Sequence, residues 1–310
     1  MSRIFPAILM SVLFAALCAG QPVESLIVER KPVELPAFEF RRQIARDATP
    51  AEYAEAKADT AHNYERLLYR SGGAIVSGFL YSPKTQTGKL PAIVFLRGSF
   101  IVNNQAPVLL TMIRRLARAG FVVFAPMFRG SDGTQGQDEL GGTDLQDLKN
   151  AIELVKSMPT VDAENVFLYG ASRGGMMTYF ALREDWPVRA AAVWGGITDI
   201  AEYLKVKDPG LRLAKTVWPD YDRQKNEIHD SRSAIRWPEK IRRPILIMHG
   251  GEDQDVSPIH SLNMGKALTE LKRDYSLVIF AKDDHILTRN RNLRDQMAVD
   301  WFNQHRAGSR

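Results

Sequence analysis

The sequence predicts an α/β protein built on a mostly parallel central sheet with helices on both faces. Short continuous apolar runs, such as Ala92–Leu96, Phe121–Ala125 and Val166–Tyr169, have the composition of strands buried on both sides. Amphipathic helical stretches separate them, and strict strand–helix alternation favours parallel pairing. The chain has 310 residues, 45% hydrophobic and 25% charged, which suits one large α/β domain or two small ones, and the absence of a repeat period, coiled-coil heptad or low-complexity tract argues against solenoids and disordered tails.

The elements follow in order. Met1 to Arg3 gives a short basic start, Ile4 to Leu17 an apolar run, and Cys18-Ala19-Gly20 small residues behind it. This describes a secretory signal peptide cleaved after Gly20, because the run is shorter than the roughly 20 residues a membrane-spanning helix needs. A lipoprotein site at Cys18 fits poorly, since Leu17 stands where a small residue is expected. The expectation is a secreted or periplasmic protein with no stable membrane span in its mature form. Loss of residues 1–20 removes the only cysteine, so the core rather than disulfides must stabilise the mature chain.

Residues 21–73 form an N-terminal extension, irregular to residue 47 and then helical from Ala51 to Tyr69. The strand Ala74–Tyr81 opens a catalytic unit running to about residue 306. A helix starts at Pro107 and is ended by Gly120. The pattern Thr143-x-x-Gln146 reads as a capping box opening the next helix. After Val166–Tyr169 comes a helix over Arg173–Leu182, then strands at Arg189–Trp194 and Pro244–Met248. A helix near Ser257–Leu271, the strand Tyr275–Phe280 and a closing helix with Leu293, Met297 and Trp301 on one face complete the chain. Residues 195–240 interrupt the alternation as an insertion, whose Tyr203, Trp218, Tyr221 and Trp237 either wall a pocket or pack against the sheet. Charge is mild: 41 basic against 36 acidic residues, intermixed, with no basic stripe interleaved with aromatics. Nucleic-acid binding is not favoured.

Parallel sheets present their chemistry in loops beyond the carboxyl ends of their strands. Gly170-Ala171-Ser172-Arg173-Gly174 lies there, between a buried strand and a helix, the setting in which a sharp turn exposes a nucleophilic hydroxyl. A serine needs a base, and the base an orienting acid. Of six histidines, His285 follows the last strand and is best placed; His249, at the end of a strand, is expected to shape its turn. Asp253 follows the preceding strand, which completes the order Ser172, Asp253, His285 given for α/β-hydrolases. Asp255, Asp283 and Asp284 stand nearby as second choices for the acid.

The segments Phe128-Arg-Gly-Ser-Asp-Gly133, Gly170-Ala-Ser-Arg-Gly-Gly175, His249-Gly-Gly-Glu-Asp-Gln-Asp-Val256 and Asp284-His285 resemble the catalytic domain of the prolyl oligopeptidase family of serine peptidases, of α/β-hydrolase fold. The likeness covers roughly residues 74–306. It implies Ser172 as nucleophile, Asp253 as acid and His285 as base, with an oxyanion hole from the backbone N–H of Arg173 and one from the Gly98–Phe100 loop, assigned to Ser99. Arg129 and Asp144 match family positions but read as scaffold. Departures are Arg97-Gly98-Ser99 where relatives often carry His-Gly-Gly, Arg173 after the nucleophile, and Ile286 where a glycine is frequent. The segment before residue 74 is also too short for the β-propeller many relatives carry.

The expectation is a serine hydrolase acting on short peptides through an acyl-enzyme, with carboxylesterase as the alternative. No metal or organic cofactor is implied. Two rival readings are a ligand-binding protein on the hydrolase fold and a metal site of His249, Asp253, Asp255 and His285.

Overall fold

In the computed structural model, which describes residues 26–38, 48–99, 103, 105–208 and 211–308, nine strands form one sheet in the order β1-β2-β3-β5-β4-β6-β7-β8-β9. The expected signal peptide lies outside the described residues. The strands β1 (Ile27–Pro32), β2 (His62–Ser71), β3 (Ala74–Pro83) and β5 (Val122–Pro126) pair antiparallel in turn. From β5 onward β4 (Leu90–Leu96), β6 (Val161–Ala171), β7 (Ala191–Trp194), β8 (Ile245–Gly250) and β9 (Tyr275–Phe280) pair in parallel.

Helices cover both faces. Leu109, Ile113 and Leu116 of α2 (Ala106–Arg118) and Ala298 and Phe302 of α9 (Arg291–Gln304) pack with Phe95, Tyr169 and Trp194 on one side. On the other, Ile152 of α3 (Leu145–Ser157), Met176 of α4 (Arg173–Arg183) and Leu268 of α8 (Ile259–Glu270) meet Val94, Leu168 and Val193. Consecutive strand residues thus feed opposite layers, and the sheet needs apolar residues at every position.

The parallel strands fall where the sequence reading puts them, but the first third differs. The helix expected over Ala51–Tyr69 is only α1 (Pro50–Lys57), capped by Thr49 and Glu52. His62–Ser71 is β2, paired with β3 around Gly72–Gly73, and the segment read as irregular contains β1. The Thr143 capping box does not form: the carboxylate of Asp144 instead accepts from Gly141 N and Gly142 N, and Gln146 bonds Asn150. Along α9, Leu293 is half exposed while Arg294 and Asp295 are buried as a pair joined by Arg115.

β9 is the outer strand on its side, bonded only to β8, and all six of its residues are partly exposed, whereas β7 and β8 are buried throughout. Among the described residues no helix is long and apolar enough to cross a membrane.

Candidate active site

Four loops meet above the carboxyl ends of β4, β6, β8 and β9. The β6–α4 turn sets Ser172 at φ 54° and ψ −117°, a left-handed backbone that costs a side-chain-bearing residue about 1–3 kcal/mol and recurs where function fixes geometry. The turn is pinned by Ser172 N donating to Trp194 O at 2.9 Å and Gly175 N donating to Ser172 O at 2.9 Å. A Cβ at Gly174 would stand 1.9 Å from the Leu96 carbonyl oxygen, so only glycine lets α4 begin this close to β4.

His285 and Asp253 come together as the sequence reading expects. His285 Nδ1 lies 2.7 Å from Asp253 Oδ2. Asp253 Oδ1 accepts from Asp255 N (2.7 Å) and Val256 N (2.9 Å), so the carboxylate is held from two sides. Burial pushes its pKa up, but hydrogen bonds from His249, His285 and the Val256 amide outweigh it and hold the group well below the usual carboxylate range. A negative Asp253 keeps the proton of His285 on Nδ1 and leaves Nε2 as the basic nitrogen. Among the described residues neither the Ser172 hydroxyl nor His285 Nε2 is engaged in a hydrogen bond, and both residues line one cavity of about 340 Å³.

His249 does more than shape its turn. Its Nε2 is 2.9 Å from Val256 O and 3.0 Å from Asp253 Oδ2, so this nitrogen carries the proton, and Nδ1 accepts from Ser261 Oγ at 2.6 Å. It is a second, fully buried imidazole on the same carboxylate. The other acidic candidates sit apart in role. Asp283 binds Arg289 N and Asn290, Asp284 binds Thr288, and Asp255 pairs with Lys207 at 2.9 Å. Asp253, Asp255 and His285 bring one ligand atom each within 4.8 Å of one another, but His249 has both nitrogens committed to Asp253, Val256 and Ser261 and does not join them.

Gly98 and Ser99 overhang the serine: a Cβ at Gly98 would lie 3.1 Å from that of Ser172. Ser99 adopts φ 65°, and the loop is tied down from below by Arg97. This buried guanidinium donates to Gly98 O and Ser99 O (both 3.0 Å), to Ser131 Oγ (2.8 Å) and to Met127 O. The Arg173 amide is the first of α4 and has no acceptor within the helix. Its side chain turns into a buried cluster, with Asp138 at 2.7 Å, Asp144 at 2.9 Å and the Phe128 ring 4.2 Å away. Arg129 pairs with Asp147. Arg129 and Asp144 are thus engaged in ion pairs and do not line the cavity that holds Ser172.

The cavity wall comes from two helices. Val108, Leu109 and Met112 of α2 form an apolar side, while Tyr203 and Lys207 of α5 (Ile200–Lys207), in the 195–240 insertion, form a polar one. Tyr203 thus walls the cavity; Trp218, Tyr221 and Trp237 are buried in the core. His229 is on α7 (Tyr221–Arg232), which follows α6 (Arg212–Val217). The β7–α5 loop is clasped by His260 of α8, whose Nδ1 accepts from Thr198 N (3.3 Å) and Asp199 N (3.2 Å). The contribution of α2 could have been suspected from its apolar stripe ahead of the serine loop; that of Lys207 had no local signal.

The sequence profile of the prolyl oligopeptidase family matches residues 109–309. The chain is 29% identical over 229 residues to the uncharacterized peptidase YtmA of Bacillus subtilis, covering 74% of this chain and 88% of that protein. It is 28% identical over 209 residues to the acylamino-acid-releasing enzyme of Rattus norvegicus, covering 61% of this chain and 28% of that one. The acylaminoacyl peptidase of Pyrococcus horikoshii superposes with a TM-score of 0.70 at 23% identity, over 84% of this chain and 44% of that chain. The chain therefore spans most of the Bacillus peptidase but less than half of the rat and Pyrococcus proteins.

Proposed function

The chain belongs to the prolyl oligopeptidase family and is a serine hydrolase, and from that premise we propose that it cleaves short acyl-peptide or peptide bonds through an acyl-enzyme formed on Ser172. In this reading Ser172 Oγ attacks the scissile carbonyl as its proton passes to His285 Nε2. The oxyanion of the tetrahedral intermediate is met by the N–H groups of Arg173 and Ser99. His285 returns the proton to the departing amine, and the same imidazole then activates the water that releases the acyl group. Asp253 holds the ring and stabilises the transient imidazolium.

The observation that supports this reading most is the 2.7 Å contact between His285 Nδ1 and Asp253 Oδ2, in a cavity that Ser172 also lines on a strained turn. Similarity to an acylamino-acid-releasing enzyme supports substrates that begin with an acylated amino acid. Ser172→Ala is expected to abolish labelling by a fluorophosphonate probe while leaving the fold intact by circular dichroism; labelling at the wild-type rate refutes the assignment. Rates on matched peptide p-nitroanilides and p-nitrophenyl esters decide the bond cleaved, and ester cleavage with no amide cleavage selects a carboxylesterase. Hydrolysis that survives Ser172→Ala and is lost to a chelator would select the metal reading instead.

Export through the amino-terminal apolar run is part of the same proposal. The protein recovered from an expressing bacterium is expected to begin at Gln21, and a cytosolic protein retaining Met1–Gly20 counts against it.

A further inference from the structure

The carboxylate beside His285 has a second partner, and that partner comes from a different part of the chain than the base. His249 stands near the end of β8, Ser261 in the first turn of α8, and Asp253 and Val256 in the loop between them. All four are buried, His249 completely. His285, by contrast, follows β9.

The neighbours of His249 fix its tautomer. Val256 O at 2.9 Å and Asp253 Oδ2 at 3.0 Å can only accept, so Nε2 bears the proton and donates to both. Nδ1 then has a free lone pair, which accepts from Ser261 Oγ at 2.6 Å. Donation therefore runs one way, from Ser261 through His249 to Asp253. It ends on the oxygen that His285 Nδ1 also meets, at 2.7 Å. The other oxygen, Oδ1, is held by the amides of Asp255 and Val256.

Each buried lone pair of Asp253 is thus matched from within one β8–loop–α8 segment, before His285 is counted. If His285 moved away, Oδ2 would keep a charge-assisted donor; without His249 it would be left bare in the interior, at a high desolvation cost. Burial acts to raise the pKa of Asp253, and among the bonds that lower it the one from His249 comes first. We infer that His249, set by Ser261, is a positioning residue of the reaction: it holds Asp253 Oδ2 oriented and anionic, so that His285 meets a carboxylate already in place. The inference rests on the triad of Ser172, Asp253 and His285 proposed above.

The test uses the full chain with its imidazole nitrogens isotopically labelled for magnetic resonance. In the wild type, His249 should show a proton on Nε2 and none on Nδ1, and the His285 Nδ1–H should resonate downfield. His249→Phe keeps a ring in the buried site but has no donor. It is expected to lower kcat about tenfold or more at nearly constant KM, the loss usual when a supporting partner is removed, and to displace the His285 Nδ1–H resonance. His249→Gln, whose amide can donate to Asp253, should recover most of both. Ser261→Ala removes one hydroxyl; it should divide the His249 proton between the two nitrogens and lower kcat about threefold, as befits one lost hydrogen bond. A folded His249→Phe whose His285 resonance stays at its wild-type position overturns the inference, whether kcat is unchanged or falls through structural loss alone. If His249→Phe shows no cooperative melt, Ser261→Ala decides, and a wild-type His249 spectrum and kcat overturn the inference. Fluorophosphonate labelling that survives Ser172→Ala, or a downfield resonance that survives His285→Ala, overturns the triad itself and the inference with it.

Discussion

Arg97 is the residue whose position says most about how the rim is held. It is buried, and among the described residues it donates to the carbonyls of Gly98, Ser99 and Met127 and to the Ser131 hydroxyl. Burial pulls its pKa down to about 9, the charge of Arg173 pushes the same way, and Asp138 and Asp132 oppose them, so it stays charged at neutral pH. The interactions hold Ser99 in a conformation that serine avoids, next to Ser172 in another. Arg97→Met strips the loop carbonyls of their donor and leaves the buried acceptors Met127 O and Ser131 Oγ short of one, at about 1–3 kcal/mol for a buried acceptor left alone. If the Ser99 amide serves the oxyanion, steady-state kinetics should show kcat reduced by about ten- to a hundredfold at nearly constant KM, since a displaced donor costs less than a missing one. Arg97→Lys should fall between, because an ammonium is a point charge and not a fork. A wild-type kcat in a folded Arg97→Met variant would remove the residue from this role.

At the scale of elements, the junction of α5 with α8 carries a pH dependence. Burial lowers the pKa of His260 to about 4; the carboxylate of Asp199 opposes this and the neighbouring imidazole of His249 acts in the same sense as burial. Above pH 6.5 the imidazole is neutral in both folded and unfolded chains, and its contribution is complete. Between 6.5 and 4 only the unfolded chain takes the proton, so stability falls with pH by up to about 1.4 kcal/mol per unit, roughly 3 kcal/mol in all. Urea midpoints at pH 7.5 and 4.5 should therefore diverge more for the wild type than for His260→Gln, whose carbonyl can accept the same two amides. Equal divergence would mean that another group governs the loss.

The parallel strands were legible because burial on both faces demands unbroken apolar runs, and Ser172, Asp253 and His285 stood out as candidates because each lies just past such a run. β2 was not legible: Tyr64, Leu67 and Leu68 suit a helical stripe as well as a strand, and the choice is made by pairing with β3 across Gly72–Gly73. The buried Arg294–Asp295 step defeated the apolar-face reading of α9 because Arg115, remote in sequence, makes it compatible with the interior. The missing capping box has a similar cause, since Asp144 is drawn to Arg173. Lys207 reaches the cavity only through the path of the insertion, which no local pattern encodes.

For the whole molecule, the sheet is a wall between two apolar layers, and its strands are unequally supported. Asp253 hangs from β8, which is buried and bonded on both sides; His285 hangs from β9, which is neither. Segments with few buried contacts open at lower free energy than the global transition. Hydrogen exchange followed by mass spectrometry should find the β9 amides exchanging well before those of β7 and β8. In a urea titration, hydrolysis should vanish before tryptophan fluorescence reports loss of the core. Coincident transitions would refute this. Under the proposed triad, the base and its acid thus belong to different tiers of durability: fraying of a single outer ribbon would disarm the catalyst while the rest of the protein stands, and re-annealing of that ribbon alone would restore it.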